Sequence, residues 1–241
     1  MSVNPFFGKG PGRLRRPPAR LLLREVGGLM TPRPPIAAVK ILRTAPRGDG
    51  HPVLVIPGFF TNDRRTARLR RFLTRLGYPT YGWKLGINPG PTERILSGLD
   101  TLLREIHARH GRRVSVIGHS LGGALARDLA KRHPDLVRQV ITLCSPIKLP
   151  TASHLEPLVR FMSKRFSAEA LRSVEELNEP PPVPVMAIYS KQDGIVAWQS
   201  CLEAPGEGRE NIELTGDHSM MPSNPRAMRV VAEKLAQNNL S

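Results

Sequence analysis

Short apolar runs recur along the chain, and each is bounded by glycine, proline or a polar turn. They are rich in β-branched residues, as is typical of strands that are buried on both faces of a parallel sheet. These runs predict strands at residues 53–56, 80–83, 114–117, 140–143, 185–189 and 211–214. Between them the apolar residues change to a helical spacing.

The helical spacing is clearest where Leu69, Phe72, Leu73 and Leu76 form one apolar stripe. Stripes of this kind predict helices over about 63–76, 93–110, 121–133 and 226–236. Strands therefore alternate with helices, which predicts an α/β fold with a mostly parallel central sheet and helices on both faces. In such a fold a ligand binds outside the carboxyl ends of the strands.

Changes in composition divide the chain into regions. Residues 1–50 form an arm rich in proline, glycine and arginine, and residues 51–241 form the α/β domain. Within the domain, residues 148–182 interrupt the alternation with apolar and then acidic residues, so we expect a small helical cap or lid insertion there. The arm contains one candidate helix, at 19–26, which either lies on a membrane surface or packs on the sheet edge.

Positive charge is concentrated at the amino-terminal end. The net charge of the 241 residues is +16, and residues 1–75 carry 16 lysines and arginines against three acidic residues. Such a basic third suggests an anionic membrane, a nucleic acid or an acidic partner, although a solvated basic face is the simpler explanation. Since no nucleic-acid motif is present, nucleic acid is not expected as a partner.

Location is predicted from what the sequence does not contain. No apolar run approaches the roughly 18 residues that a membrane span needs, and the arm lacks the apolar core of a signal peptide. The two cysteines, Cys144 and Cys201, do not make a disulfide framework. We therefore expect a cytoplasmic protein, with peripheral contact to an anionic membrane through the basic third as an alternative.

The chemistry centres on residues 114–123, where a buried-type strand runs into Gly118-His119-Ser120-Leu121-Gly122 and then into a helix. This G-x-S-x-G spacing between strand and helix is typical of a nucleophile elbow. The turn is tight, so both glycines are needed where strand and helix meet. Ser120 is the predicted nucleophile, at the apex of the turn.

A serine hydroxyl needs a general base, and the base needs a carboxylate that orients it. In this kind of fold the chain order is serine, acid, histidine. Asp193 follows the predicted strand 185–189, and His218 follows the strand 211–214, so they are the predicted acid and base. Asp217 is badly placed to meet the neighbouring ring, and Glu203 is the reserve acid.

Two backbone N–H groups are expected to form an oxyanion hole. One belongs to Leu121, directly after the nucleophile, and the other to Phe59, in the loop after the first strand, where Gly58 gives access. The apolar residues of the 148–182 insertion, together with Phe59, Phe60 and Trp83, are expected to form a wall for an acyl group; the alternative is that the insertion's apolar residues are simply the core of its helices.

The sequence resembles the α/β-hydrolase superfamily, and within it the bacterial serine lipases and esterases. The resemblance rests on residues 53–59, 118–123, 142–146, 193–196 and 216–218, and it extends over about 50–235. It implies hydrolysis of a carboxylic ester, from a small molecule or a lipid, through an acyl-enzyme on Ser120, with Asp193 and His218 completing the triad. It implies no metal and no organic cofactor. Two departures blur the subfamily: Pro57-Gly58 replaces the common His-Gly, and Ile147 replaces a histidine.

Two other functions remain open at this stage. An acyltransferase or a thioesterase would use the same triad and differ only in the acceptor or the leaving group. A basic protein that binds a membrane or a nucleic acid, with a vestigial site, would explain the charged arm instead.

Overall fold

Six parallel strands form a single sheet in the computed structural model, which describes residues 14–28, 42–148, 153–154 and 178–237. The order across the sheet is β2-β1-β3-β4-β5-β6, and every neighbouring pair is parallel. The strands are β1 (Val53–Ile56), β2 (Thr80–Gly82), β3 (Val114–His119), β4 (Val137–Leu143), β5 (Val185–Tyr189) and β6 (Arg209–Glu213). The predicted strands are all present, with small differences at their ends.

Five α-helices accompany the sheet in the described residues: α1 (Ala19–Gly28), α2 (Asp63–Arg75), α3 (Glu93–His110), α4 (Leu121–Arg132) and α5 (Pro225–Gln237). Asn62 caps α2, because its side-chain oxygen accepts the Arg64 N–H at 3.0 Å. Gly111 ends α3 with a φ of 60°, a left-handed conformation that glycine adopts without strain.

The sheet separates two apolar cores. On one face, Leu54 and Val116 pack with α3 and α4, and on the other Val55 and Ile141 pack with α2 and α5. Alternate residues of the same strands therefore serve opposite cores, which explains why these strands are apolar throughout. The prediction of a parallel sheet with helices on both faces is confirmed.

The strand order determines where the polar loops meet. From β1 the chain passes to β2, which lies on one side of β1, and then crosses to β3 on the other side. The direction in which strands are added therefore reverses at β1. In open α/β sheets such a reversal opens a crevice at the carboxyl ends of the strands. The loops after β1, β3, β5 and β6 all lie at this edge.

Some predictions fall on residues outside the described ranges. The cap insertion at 148–182 includes 149–152 and 155–177, and the basic arm includes 1–13 and 29–41, none of which the structure describes. The proposed domain boundaries stay predictions. Within the described part of the chain, no helix combines the length and the hydropathy that a membrane crossing needs.

Candidate active site

Ser120 occupies the sharp turn between β3 and α4. Its φ of 53° and ψ of −127° lie in a region that residues with a side chain rarely adopt, so the backbone there is strained. The serine is 6 % exposed. Strained serines at such turns present the hydroxyl outward above the sheet, as the motif predicts.

Glycine makes this turn possible on both sides of the serine. A Cβ atom on Gly118 would overlap the backbone of Gly122 and Gly123. One on Gly122 would lie 2.5 Å from the carbonyl oxygen of Ile56 and 2.6 Å from that of Pro57. The helix α4 therefore packs against the end of β1 at a distance that only glycine allows.

His218 and Asp193 are joined by a short hydrogen bond, although their loops follow different strands. The Nδ1–H group of His218 donates to Oδ2 of Asp193 at 2.6 Å, and both residues are 3 % exposed. The other oxygen of Asp193, Oδ1, accepts the backbone N–H groups of Ile195 at 2.8 Å and Val196 at 2.7 Å. Both carboxylate oxygens are thus fixed, and they hold the imidazole in one orientation.

The electrostatic environment of His218 favours its protonated form. Burial alone would lower its pKa, but the charge of Asp193, their hydrogen bond and the charge of Glu25 together raise the pKa above the ordinary value. His119 behaves in the opposite way, since burial and the neighbouring His218 lower its pKa to about 3. Neutral His119 donates its Nε2–H to the backbone oxygen of His218 at 3.0 Å.

A cavity of about 340 Å³ brings together the predicted nucleophile and the predicted base. Ser120 and His218 both contribute to its wall, and Asp193 lies behind His218. The full lining consists of Gly58, Phe59, Thr61, Arg65, His119, Ser120, Ile195, His218 and Ser219. A molecule bound in the cavity would therefore contact both Ser120 and His218.

The two predicted oxyanion donors also lie at this cavity. Phe59 is part of its wall, and a Cβ atom on Gly58 would lie only 3.1 Å from Cβ of Ser120. Leu121 is the first residue of α4, so its N–H has no partner within the helix. Among the hydrogen bonds of the described residues, none is donated by the N–H of Phe59 or of Leu121. Both groups remain available to an oxyanion.

Of the aromatic residues predicted to form an apolar wall, Phe59 lines the cavity and Trp83 does not. Phe59 lines the cavity and packs edge-on against Phe60, with the ring centroids 4.6 Å apart. Trp83 is completely buried, donates its indole N–H to the Gly86 oxygen at 3.0 Å, and lines a different cavity beside α3. The prediction is wrong for Trp83, because the chain turns it into the core just after β2.

The sequence did not single out Arg65 or Glu25. Arg65, from α2, lines the cavity, and burial lowers its pKa while the charge of Glu25 partly offsets that effect. Glu25, from α1, is 3 % exposed and accepts hydrogen bonds from the loops that carry Asp193 and His218. Glu25 is the single acidic residue among the first 48, but this does not indicate which groups it binds.

The competing acids are engaged elsewhere. Glu203 is buried in an ion pair with Arg127, away from the imidazole. Asp217 faces Arg24 at 3.3 Å, and burial raises its pKa in spite of that arginine. Neither carboxylate hydrogen-bonds to His218, so Asp193 is its partner.

A second serine, histidine and aspartate set occurs at the opposite end of the sheet. Ser115 Oγ lies 2.8 Å from His51 Nε2, and His51 Nδ1 lies 2.5 Å from Asp49 Oδ1. Ser115 and His51 have no solvent-exposed surface, and Gln139 also donates to the serine oxygen at 3.2 Å. Since no substrate can reach this serine, the set is a buried hydrogen-bond network that supports the fold.

Cys144, Asp193 and His218 each place a possible metal-ligating atom within 4.8 Å of the others. Their chemistry indicates a different role. Burial and the charge of Asp193 raise the pKa of the Cys144 thiol, so it stays protonated, whereas a metal requires the thiolate. The nearby atoms of Asp193 and His218 are already committed to their mutual hydrogen bond. The chemistry of these three residues therefore suits the orientation of His218 by Asp193 better than it suits metal binding.

Comparisons with known proteins identify the same architecture. A family model described as "alpha/beta hydrolase fold" matches residues 99–181. A human "Serine hydrolase-like protein" is 26 % identical over 140 residues, which are 56 % of this chain and 68 % of that protein.

Solved structures extend the match over most of the chain. The monoacylglycerol lipase of Paleococcus ferrophilus is similar with a TM-score of 0.61 and 16 % identity, covering 81 % of this chain and 97 % of the lipase. A thioesterase domain from the curacin biosynthetic pathway has a TM-score of 0.53 and 13 % identity, and the match covers 78 % of this chain and 93 % of that domain. The chain therefore has the α/β-hydrolase fold.

Proposed function

We propose that this chain, which has the α/β-hydrolase fold, is a serine hydrolase that cleaves carboxylic esters. Ser120 is the nucleophile, His218 the general base and Asp193 the residue that orients the base. The observation that carries the proposal is the 2.6 Å bond from His218 Nδ1 to Asp193, beside a cavity that Ser120 also lines. Its chemistry is that of a serine, histidine and aspartate triad.

The reaction begins when Ser120 Oγ attacks the acyl carbon and its proton passes to Nε2 of His218. The carbonyl electrons move onto oxygen, and the N–H groups of Phe59 and Leu121 stabilise that oxyanion. Its collapse breaks the ester bond, and His218 returns the proton to the departing alcohol. Water then attacks the acyl-enzyme with the same proton transfers, which releases the carboxylic acid and restores Ser120.

The environment of His218 suits this cycle. Asp193 fixes the tautomer that leaves Nε2 free to accept the serine proton. The carboxylates of Asp193 and Glu25 stabilise the imidazolium that forms when the proton arrives, as the raised pKa of His218 indicates. Arg65 acts in the opposite direction and limits this stabilisation.

The test is hydrolysis of p-nitrophenyl esters from acetyl to palmitoyl by the wild type and by Ser120→Ala. We expect turnover that is lost in Ser120→Ala and retained in Ser115→Ala, because Ser115 lies in the buried network. The preferred chain length reports the size of the acyl pocket. Equal turnover in the wild type and in Ser120→Ala would refute the proposal.

Acyl transfer and thioester hydrolysis remain alternatives for the same triad. They are separated from ester hydrolysis by adding an alcohol acceptor to the assay and by comparing an acyl thioester with its oxygen ester. A transferase would form the new ester in preference to the free acid. A thioesterase would turn over the thioester with the higher kcat/KM.

Peripheral contact with an anionic membrane is a further part of the proposal. It is supported by the charge of residues 1–75, which carry 16 basic and three acidic residues. Sedimentation with vesicles of anionic or zwitterionic lipid tests it. We expect binding to the anionic vesicles that decreases as salt is added, and equal partition to both kinds would contradict it.

A further inference from the structure

Glu25 connects the two loops that carry the proposed base and its orienting acid. Its Oε1 accepts the backbone N–H of His218 at 2.7 Å and that of Gly194 at 3.0 Å. Its Oε2 accepts the N–H of Ser219 at 2.9 Å. One buried carboxylate therefore accepts hydrogen bonds from three backbone N–H groups. One belongs to the residue after Asp193, and the other two belong to His218 and the residue after it.

The fit between α1 and these loops is close. A Cβ atom on Gly194 would overlap the backbone carbonyl of Leu21, so the residue after Asp193 must be glycine for α1 to pack there. Arg24, on the same helix, lies 3.3 Å from Asp217 and 3.4 Å from the side-chain oxygen of Gln192. The helix thus contacts both loops through the backbone of Leu21 and the side chains of Arg24 and Glu25.

The charge of Glu25 also acts on His218. The ionisable groups that surround the imidazole are Asp193, Glu25, Arg65, His119 and Cys144. Of these, Asp193 and Glu25 favour the imidazolium, whereas Arg65 disfavours it. Neutral His119 and the protonated Cys144 thiol carry no charge at neutral pH.

We propose that Glu25 is a positioning residue of the site, which holds the Asp193 and His218 loops together and stabilises the imidazolium through its charge. The proposal rests on the proposed function for its catalytic consequence. Its structural part, the contact of a buried carboxylate with both loops, stands on the hydrogen bonds alone. Part of the amino-terminal arm therefore belongs to the active-site architecture.

The proposal is tested with Glu25→Gln, which keeps the shape of the side chain and removes its charge. We expect the pKa of His218, followed by NMR of its imidazole, to fall in Glu25→Gln and to rise in Arg65→Gln. In ester hydrolysis, kcat should fall about 10²-fold in Glu25→Ala, as for a displaced catalytic group, with KM nearly unchanged. The amide variant should lose less, because one oxygen still accepts hydrogen bonds.

Two variants separate positioning from a general effect on folding. Arg20→Gln removes the charge of an exposed arginine on the same helix, so kcat and the pKa of His218 should both stay as in the wild type. Glu25→Asp keeps the charge, so it should restore the histidine pKa toward the wild-type value while kcat stays reduced. Thermal unfolding of each variant shows whether the protein is folded under the assay conditions.

The outcomes are decisive for Glu25 even if the activity differs from the one proposed. An unchanged pKa of His218 in folded Glu25→Gln would overturn the proposal, whatever the turnover. A shifted pKa without ester turnover in the wild type would support the positioning role and count against the esterase assignment. If both Glu25→Gln and Glu25→Asp fail to fold, Glu25 is only a structural residue and the proposal is wrong.

Discussion

His218 donates its Nδ1–H to Asp193 at 2.6 Å, although another carboxylate, Asp217, is its immediate neighbour in the chain. Asp217 faces Arg24 instead. The loop after β5 carries Asp193 to the imidazole, and a residue adjacent in sequence cannot turn its side chain back onto that ring. The pairing identifies which of two nearby aspartates orients the proposed base.

Asp193→Asn should therefore abolish most of the activity. An amide in this position favours the wrong tautomer of His218, and the loss of kcat should be about 10⁴-fold. Asp217→Asn is the matched control, and its kcat should stay close to that of the wild type. Steady-state kinetics on the best p-nitrophenyl ester measures kcat for both variants. A larger loss of kcat in Asp217→Asn than in Asp193→Asn would show that Asp217, and not Asp193, orients the histidine.

Activity should increase with pH through the pKa of His218. The base works when it is neutral, and its pKa is raised above 6.5 in the folded protein. The acidic limb of kcat/KM should accordingly have its midpoint above pH 6.5, which pH-stat titration of ester hydrolysis measures. A midpoint clearly below that of a free histidine would show that the imidazolium is not favoured in this site.

His119 should make the protein less stable in acid. Its folded pKa of about 3 lies below the ordinary 6.5, so between these values the unfolded chain binds a proton that the folded chain does not. Stability is therefore complete above about pH 6.5 and falls as the pH decreases, by up to about 1.4 kcal/mol per pH unit for this residue.

The measurement is urea unfolding at several pH values for the wild type and for His119→Gln. Between about pH 6 and pH 4, the free energy of unfolding of the wild type should fall relative to that of His119→Gln by up to about 1.4 kcal/mol per pH unit. The variant should therefore lose less stability in acid than the wild type. A difference that is independent of pH would show that His119 takes up a proton equally in both states.

The elbow depends on Gly122 for its packing against β1. Because an added Cβ would lie 2.5 Å from the Ile56 oxygen, Gly122→Ala should push α4 away, lower stability by about 1–3 kcal/mol and reduce kcat. Gly206→Ala is the control, since its nearest neighbours are atoms of the flexible Arg209 side chain on the surface. Thermal unfolding and ester assays compare the two, and equal stability would argue against the tight contact.

The sequence predicted the parts of the site that follow strands. Ser120, Asp193 and His218 are predicted to meet because each comes just after an apolar run, and parallel strands bring such loops to one edge of the sheet. The same reasoning predicted the sheet and its two helical layers. Both predictions need only the apolar patterns of single strands and helices, together with the rule that loops after parallel strands meet at the carboxyl edge of the sheet.

Glu25 and Trp83 show what such patterns miss. Glu25 binds backbone N–H groups of residues that lie 169 and 193 positions away, and backbone groups leave no signature in a sequence. Trp83 follows a strand at the correct edge, yet it turns into the core because Asp63 accepts its backbone N–H at 3.0 Å. Contacts of this kind depend on tertiary packing and require the structure.

The most direct test is to find which serine reacts with a fluorophosphonate, a reagent that modifies activated serines. We predict one adduct per chain on Ser120, mapped by mass spectrometry, with labelling lost in Ser120→Ala and strongly slowed in His218→Asn. Ser115, in its buried hydrogen-bond network with His51, should remain unmodified. Labelling of Ser115, or no labelling of Ser120 in the folded wild type, would contradict the proposal that Ser120 is an activated nucleophile.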